Sequence, residues 1–479
     1  MKKTLALLLS CAISAFSAAS GLAAEAQATA KVLNITGTAA QVLLPGAAAP
    51  TALSVGDELP QGATVITGDG TDVYIRPMGG AVSTIKANTR VEMEKLSVTT
   101  EGASITKQSA LLNLKSGNLV SSLDPSKKGI NDYGVRTPKG VAAARGTVYH
   151  VAVNGVNYTV TTGAGTVLIT SDNPNIAAVS VANGQVSVSN IAGGASLPAG
   201  DAQLAGVQTQ IANAMTVATA AVAAVAENST GRFDADASAS AKGELSNVVQ
   251  TVVQSVPAAT SAVVQAAVAN APGQTTAIVQ TAVTTASNAT GATAESVSAA
   301  ASTISAAATT ANPTQAASIA STATTAAPAA AAQIAASTAA VAPTQAAAIA
   351  SSVTTAASNA GNTTSSATIA AAVSQTVPSA ATAVVAAVAT ASGTSVATLT
   401  TDMSSSTVQT AANTASTAAA TTATQQQVVT QQVSTATNTT PVTTPSTTTP
   451  STTTPGETTT PPATTTPQPI DPSTVSRSG

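Results

Sequence analysis

The sequence contains no tryptophan, two phenylalanines, four tyrosines and one histidine in 479 residues. Large aromatic side chains dominate ordinary cores, so their scarcity excludes a single large globular domain. Charge is equally sparse: Asp, Glu, Lys and Arg together make up 8% of the chain, and the net charge is -3. That excludes a basic surface for polynucleotides, so no nucleic-acid partner is expected. One histidine and one cysteine cannot build the usual zinc patterns. The many serines and threonines carry no catalysis either, because a hydroxyl without a positioned base is inert. His150 falls in the middle of a strand-like segment and reads as a surface strand residue. Asp57, Glu58, Asp69 and Asp72 fall in turn-like segments, where carboxylates cap loop N–H groups more readily than they hold calcium. No catalytic, metal-binding or cofactor-binding residue is therefore assigned; no cofactor and no enzyme activity are expected. No internal run reaches the roughly 18 to 20 apolar residues of a membrane helix.

What is present falls into segments of different character. Nearly every Lys and Arg lies at or before Arg145, with Arg232, Lys242 and Arg477 after it. Met1-Lys2-Lys3, the apolar run Leu5 to Leu9 and small residues through Ala24 have the layout of a secretory signal over 1–24, cut after Ala24 or after Ala26. Export to the periplasm, or to the cell surface or beyond, is the expectation. Leu8-Leu9-Ser10-Cys11 also looks like a lipoprotein box, but it falls early for one, so anchoring through Cys11 is the lesser alternative.

Residues 30–190 are diverse and β-branched, alternating apolar with polar positions between Gly, Asn and Asp signals, which is the pattern of an all-β domain. Candidate strands include Lys31 to Ile35, Val65 to Thr67, Val73 to Ile75, Val91 to Met93, Leu111 to Leu114 and Val167 to Ile169. Asn154-Gly155 between Tyr149–Val153 and Val156–Val160 suggests a two-residue type I′ hairpin. In that register Val153 faces Val156, Val151 faces Tyr158 and Tyr149 faces Val160, leaving His150, Ala152, Asn157 and Thr159 to meet water. Short strands at this spacing make a sandwich, barrel or solenoid-like fold.

Residues 191–243 read as a linker or loosely defined helices. Over 244–420 a repeat emerges when prolines are aligned. Pro257, Pro272, Pro313, Pro328, Pro343 and Pro378 are each followed six residues on by Val263, Ile278, Ile319, Ile334, Ile349 and Val384, with several intervals of 15 residues. Proline suits the first turn of a helix, Asn312 before Pro313 reads as an N-cap, and Ala316, Ile319, Ala320 and Ala323 share one stripe. A fluctuating spacer has no need of that register, so stacked short helices are favoured, with self-association through them an open possibility. Residues 421–479 pass from Gln runs into Thr/Pro repeats and are expected to form a disordered tail whose composition is compatible with O-glycosylation.

The β region also resembles a known family. Val55-Gly56-Asp57-Glu58-Leu59 through Val65-Ile66-Thr67-Gly68 is similar to the opening phrase of the FecR domain. Leu114-Lys115-Ser116-Gly117-Asn118-Leu119 resembles its "L-x-x-G-x-L" turn, and Val135-Arg136-Thr137-Pro138 with Arg145-Gly146-Thr147 resembles its closing signature. The resemblance implies an all-β, twisted, solenoid- or sandwich-like domain outside the inner membrane, which in the best-known members relays a signal from a TonB-dependent transporter to a sigma factor. The sequence is expected to lack the anti-sigma and transmembrane parts, so the implied role is an interaction or sensing module for an envelope protein or glycan. The alternative is a structural surface or matrix protein assembled through the Ala-rich repeats. Of the signature residues, Gly56, Asp57, Gly68, Gly117, Thr137, Pro138, Arg145, Gly146 and Thr147, the expected role is structural: Gly146 permits close backbone approach, Arg145 pins a neighbouring turn and Thr147 starts a strand.

Overall fold

The computed structural model describes residues 24–182, 184–188, 196–198, 218–226, 239–361 and 365–437. The expected signal segment before Ala24, Cys11 and the Thr/Pro repeats lie outside these residues.

The N-terminal region is all-β, and its strands, numbered in chain order, form two facing sheets. The first runs β4 (Thr51–Ala52), β3 (Ala40–Leu43), β6 (Thr64–Thr67), β9 (Arg90–Glu101), β10 (Ser104–Leu123), β11 (Asn131–Thr137), β12 (Gly140–Ala144), β15 (Thr166–Ser171), β16 (Val179–Ala182). Beyond the end of β6, β1 (Ala24–Gln27) continues along β9. The second sheet runs β5 (Glu58–Leu59), β2 (Ala30–Thr36), β7 (Asp72–Arg76), β8 (Ala81–Ile85), the far half of β10, β13 (Val148–Asn154), β14 (Asn157–Ala164), β17 (Gln185–Val188), β18 (Ser196–Pro198). Every pairing except β10–β11 is antiparallel. Successive hairpins are shared between the sheets: β7–β8 joins the second, β9–β10 and β11–β12 the first, β13–β14 the second and β15–β16 the first. The stack thus grows in chain order, as a solenoid does.

Strand alternation puts one face of each sheet inward. Val65, Met93, Leu112, Leu114 and Val135 of the first sheet meet Val32, Ile75, Ile85, Leu119 and Val151 of the second in a shared core. β10 serves both sheets: Ser116 pairs with Arg90 in the first, and the next residue, Gly117, pairs with Val153 in the second.

The expected hairpin is present with its turn moved one residue on. Asn154 pairs with Asn157, so Gly155 (φ +59°) and Val156 form the turn and Val156 is exposed. A turn with Gly first and a residue of negative φ second is of the II′ kind, and Gly155 alone meets its demand for positive φ. Val153 therefore faces Tyr158 and Val151 faces Val160. The opposite face does not simply meet water: Val148 and Thr161 are fully buried there and His150 is half-buried.

The reason is the helical half. A helix α1 at 218–226, within the stretch read as a linker, and α2 (Ala239–Ser255) lie against the second sheet. Leu33, Tyr74 and Val82 on the outer face of that sheet join Val222, Leu245, Val248 and Val252 in one cluster. Val120 and Val148 pack on Val256. The Asn34 amide donates to the Ala224 carbonyl at 2.6 Å, and Glu244 on α2 takes Arg76 at 2.7 Å and Lys31 at 3.5 Å.

Eight further short helices follow: α3 (Thr260–Asn270), α4 (Thr275–Ser287), α5 (Ala294–Ala311), α6 (Ala316–Ala326), α7 (Ala331–Val341), α8 (Ala346–Asn359), α9 (Ser366–Thr376) and α10 (Ala381–Ser392). Each packs on the next but one, so α2, α4, α6, α8 and α10 form one layer and α3, α5, α7 and α9 a second. The prolines open 3-10 turns that run into α3, α4, α6, α7, α8 and α10. Residues before them stop the preceding helix with φ between −139° and −127°, as steric clash with the proline ring requires. Val263, Ile278, Ile319, Ile334, Ile349 and Val384 are all buried, as are Ala316, Ala320 and Ala323.

Asn312 departs from expectation, because its side chain does not cap α6. Its Oδ1 accepts instead from the Thr314 hydroxyl at 2.7 Å and its amide donates to Thr275 Oγ1 at 3.1 Å, while Gln315 and Gln345 Nε2 reach the carbonyls of Pro272 and Pro313. These polar side chains tie each unit to the one before it in the same layer. After α11 (Val396–Met403), residues 406–437 form a single helix α12 (Ser406–Thr437) that packs on α3, α5, α7 and α9. Residues 421–437 thus belong to the helical array and not to a disordered tail. Composition misleads here because Ala, Thr and Gln without proline are compatible with a helix once it has a surface to pack on.

Candidate functional site

The signature residues serve turns and corners of the sandwich, and two of them share one: the Gly68 carbonyl accepts the Asn88 N–H at 3.3 Å, and Gly117 lies against Asn88 and Thr89. Gly56 (φ +91°) donates its N–H to Val32 O at 2.9 Å, and Asp57 Oδ2 accepts from the Ser54 N–H at 2.8 Å. Gly68 lies against Ala39, whose carbonyl it reaches at 2.8 Å. Thr137 Oγ1 donates to Gly140 O at 3.0 Å across the turn that holds Pro138. Gly146 (φ +72°) sits against Pro125, and the buried Thr147 hydroxyl donates to the Ala164 carbonyl. Arg145, expected to pin a turn, is exposed and makes no side-chain hydrogen bond among the described residues. Asp69 accepts from the Asn88 side-chain amide at 2.8 Å, and Asp72, at the start of β7, accepts the Ala87 N–H at 3.0 Å and pairs with Lys86. Among the described residues no group of His, Cys, Asp or Glu has the makings of a metal site.

Inside the sandwich, Tyr133 Oη bonds Ser83 Oγ and Ser121 Oγ, each at 2.8 Å, and its ring meets Tyr149 edge-on. Burial pushes the Tyr133 phenol up to about 12 against the pull of those hydroxyls, so it stays neutral and serves as a core cross-link. His150 Nε2 meets Asn118 Oδ1 at 3.1 Å. Burial, with Lys86 adding to it, holds the imidazole down at about 4. The folded chain therefore refuses a proton that the unfolded chain takes up below about 6.5. The stability linked to His150 is complete above that pH and declines as pH falls toward 4. Proton NMR should place the His150 midpoint near 4, and His150→Gln should flatten the fall in Tm between pH 6.5 and 4.5. A midpoint near 6.5 contradicts this assignment.

One broad surface of the β domain is left uncovered: the outer face of the first sheet. Register places Leu111, Gly134, Ala143 and Leu168 in one row across β10, β11, β12 and β15. Leu111 and Val141 flank Gly134 so closely that a Cβ there would lie within 3.2 Å of both. Leu168 is 45% exposed. The neighbouring row carries charge. Arg136 Nε lies 2.8 Å from both carboxylate oxygens of Glu94, its Nη1 lies 3.5 Å from Asp172, and Lys115 meets Glu92 at 3.0 Å. The bonds to Glu94, above all, hold the Arg136 pKa further up. Exposed pairs of this kind add little stability but fix a pattern of charge around the apolar row.

The β region is thus an all-β sandwich with buried polar cross-links and one open, patterned face, and it is followed by a helical array. Residues 63–187 match the family model described as FecR protein, so this part of the β region is a FecR domain. All the signature residues except Gly56 and Asp57 fall inside the matched span. Two crystal structures of a protein from Parabacteroides distasonis ATCC 8503, provisionally assigned as an anti-sigma factor, are 15% and 16% identical to the chain, with TM-scores of 0.23 and 0.22. Each alignment covers 28% of this chain and 57% of theirs, so the chain spans little more than half of their length. No functionally curated protein matches the chain.

The covered face of the second sheet escaped sequence reasoning. Its signal was nevertheless available: Ala81-Val82-Ser83-Thr84-Ile85 and Val73-Tyr74-Ile75 have apolar residues on both faces, as strands buried on both sides do.

Proposed function

We propose that the protein is an exported, non-enzymatic sensing module whose FecR domain binds a protein or glycan of the cell envelope on the outer face of its first sheet. One observation carries the reading: the chain's own helices cover the second sheet, while the first keeps an apolar row around Leu168 bordered by Glu94, Arg136 and Asp172. Interfaces of this make-up combine an apolar centre with a polar rim. A FecR domain supports a sensing or regulatory role and not an enzymatic one. The array serves as the mount that holds this face outward.

The test uses residues 25–479, because a fragment without the helices would bare the wrong face. Leu168→Glu, at an exposed position, should leave the fold intact by circular dichroism. It should lower capture of the specific envelope component at least about ten-fold, as for a residue near an interface centre. Capture through the rim should weaken with added salt. Equal capture by both forms, or no specific capture at any ionic strength, counts against the reading.

A further inference from the structure

Helix α12 crosses the array instead of taking its place in the order of layers. Its buried positions are Ala412, Ala415, Ala419, Thr422 and Gln426, a 3-4 spacing that keeps one narrow stripe on one side. That stripe lies on the α3, α5, α7 and α9 layer, while contact with its own sequence neighbour α11 is slight.

This seam differs chemically from the rest of the array. Each of α3 to α10 contributes a fully buried Ile or Val, whereas the buried stripe of α12 is Ala, Thr and Gln and its Val408 and Val429 are only partly buried, so its burial stabilises less. Its hydrogen bonds are neutral: Gln375 Nε2 to Gln409 Oε1 at 2.9 Å, Ser416 Oγ to Gln375 Oε1 at 3.2 Å, Gln265 Nε2 to Thr430 Oγ1 at 2.9 Å and Gln426 Nε2 to Thr303 O at 3.5 Å. Against them, Gln265 Oε1 and Gln426 Oε1 are buried without partners. Each such group costs free energy that a matched core would not. A cleft of about 500 Å³ also remains between α5, α7 and α12, walled by Ser302, Gln333 and Thr422.

The hinge is minimal. Ser404 keeps near-helical angles (φ −80°, ψ −7°), and Ser405 opens α12, its carbonyl accepting the Gln409 N–H at 2.9 Å and its hydroxyl the Val408 N–H at 3.4 Å. The bend between α11 and α12 therefore falls at Ser405. Rotation there joins Val396–Thr437 into one rod of roughly 60 Å and lifts the stripe off its own array. No charged residue lies between Ser404 and Thr437 to oppose a second chain.

We infer that α12 exchanges between copies: its stripe docks on the α3, α5, α7 and α9 face of a second chain, whose α12 docks back. The partner is a second copy because the groove already fits this Ala, Thr and Gln stripe, and the dimer is closed by the contacts that close the monomer. This exchange does not depend on the envelope-binding reading.

The test uses residues 25–479, which contain no cysteine. Two forms, Gln265→Cys and Thr430→Cys, are mixed at high micromolar concentration and treated with a short bismaleimide. A covalent heterodimer is expected, well above the yield from Asp132→Cys on β11 paired with Thr430→Cys. Sedimentation of the unsubstituted chain should show a concentration-dependent dimer. Deleting Ser404 and Ser405 denies α12 the room to fold back and should tighten that dimer at least about ten-fold, as shortened hinges do. An unsubstituted chain that stays monomeric at every concentration, or a dimer in which positions 265 and 430 do not cross-link between chains, overturns the exchange.

Discussion

Gly117→Ala is expected to destabilise the FecR domain by more than about 4 kcal/mol, enough to leave it unfolded at 37 °C, because backbone clash adds to left-handed strain. Gly117 has φ +92°, and a Cβ there would lie 2.3 Å from Thr89 Oγ1, 2.6 Å from Thr89 Cα and 2.7 Å from Asn88 O. Rotation of the Thr89 side chain would relieve the first contact, but the other two are backbone. Nor is the position free to move: the Asn118 N–H donates to Thr89 Oγ1 at 2.9 Å, and β10 changes sheet at this residue. Thermal unfolding followed by near-ultraviolet tyrosine dichroism reads the effect directly. An alanine variant within 1 kcal/mol of the natural chain, a scale on which surface substitutions fall, would show that the corner is not a lock. Gly155→Ala is the matched comparison, since its φ is +59° but no atom lies near its missing Cβ.

A chain ending at residue 198 should fail as a soluble monomer. Removing the helices would bare Leu33, Tyr74, Val82, Val120 and Val148, all now buried on the outer face of the second sheet. It would also leave Lys31 and Arg76 without Glu244. A contiguous apolar face of that kind drives association. Light scattering should find aggregates or oligomers at micromolar concentration, whereas a chain ending at residue 437 remains dispersed. A monomeric, fully folded 25–198 fragment would mean that the docking of α1 and α2 is incidental. Tyr74, whose phenol burial pushes up to about 12, gives a local readout: its alkaline titration should move back toward 10 once the helices are gone.

Much of this architecture was legible in the sequence, because its signals are local. Val65, Val73, Val91, Leu112 and Val167 lie in strands at the expected places, and the residue six beyond each repeat proline is buried. Alternation and proline placement act within a few residues and need no knowledge of what lies across the fold. The failures are long-range. Asn312 looked like a cap because Asn before a helix usually is one, yet its amide is held by Thr275 on a neighbouring helix and its Oδ1 accepts the Thr314 hydroxyl in place of a backbone N–H. Residues 421–437 looked like solvated tail because the surface that makes them helical is supplied by α3 to α9. The turn at Gly155 slipped by one residue because Asn-Gly and Gly-Val both offer positive φ where a hairpin needs it, and the ladder decides between them. The candidate face on the first sheet was invisible for the same reason: Leu111, Ala143 and Leu168 become neighbours only through register.

The sharing of hairpins between the two sheets in chain order also bears on the order of folding. Most strands, and every short helix, find their partners within the next few elements, so a chain delivered from its N-terminus can complete each layer before the following one arrives. Such a chain holds few unpaired segments waiting for distant ones, which limits the time that strand edges stay open to other molecules. The one late arrival among the described elements is α12, which must reach back across α3 to α9 after all of them have emerged.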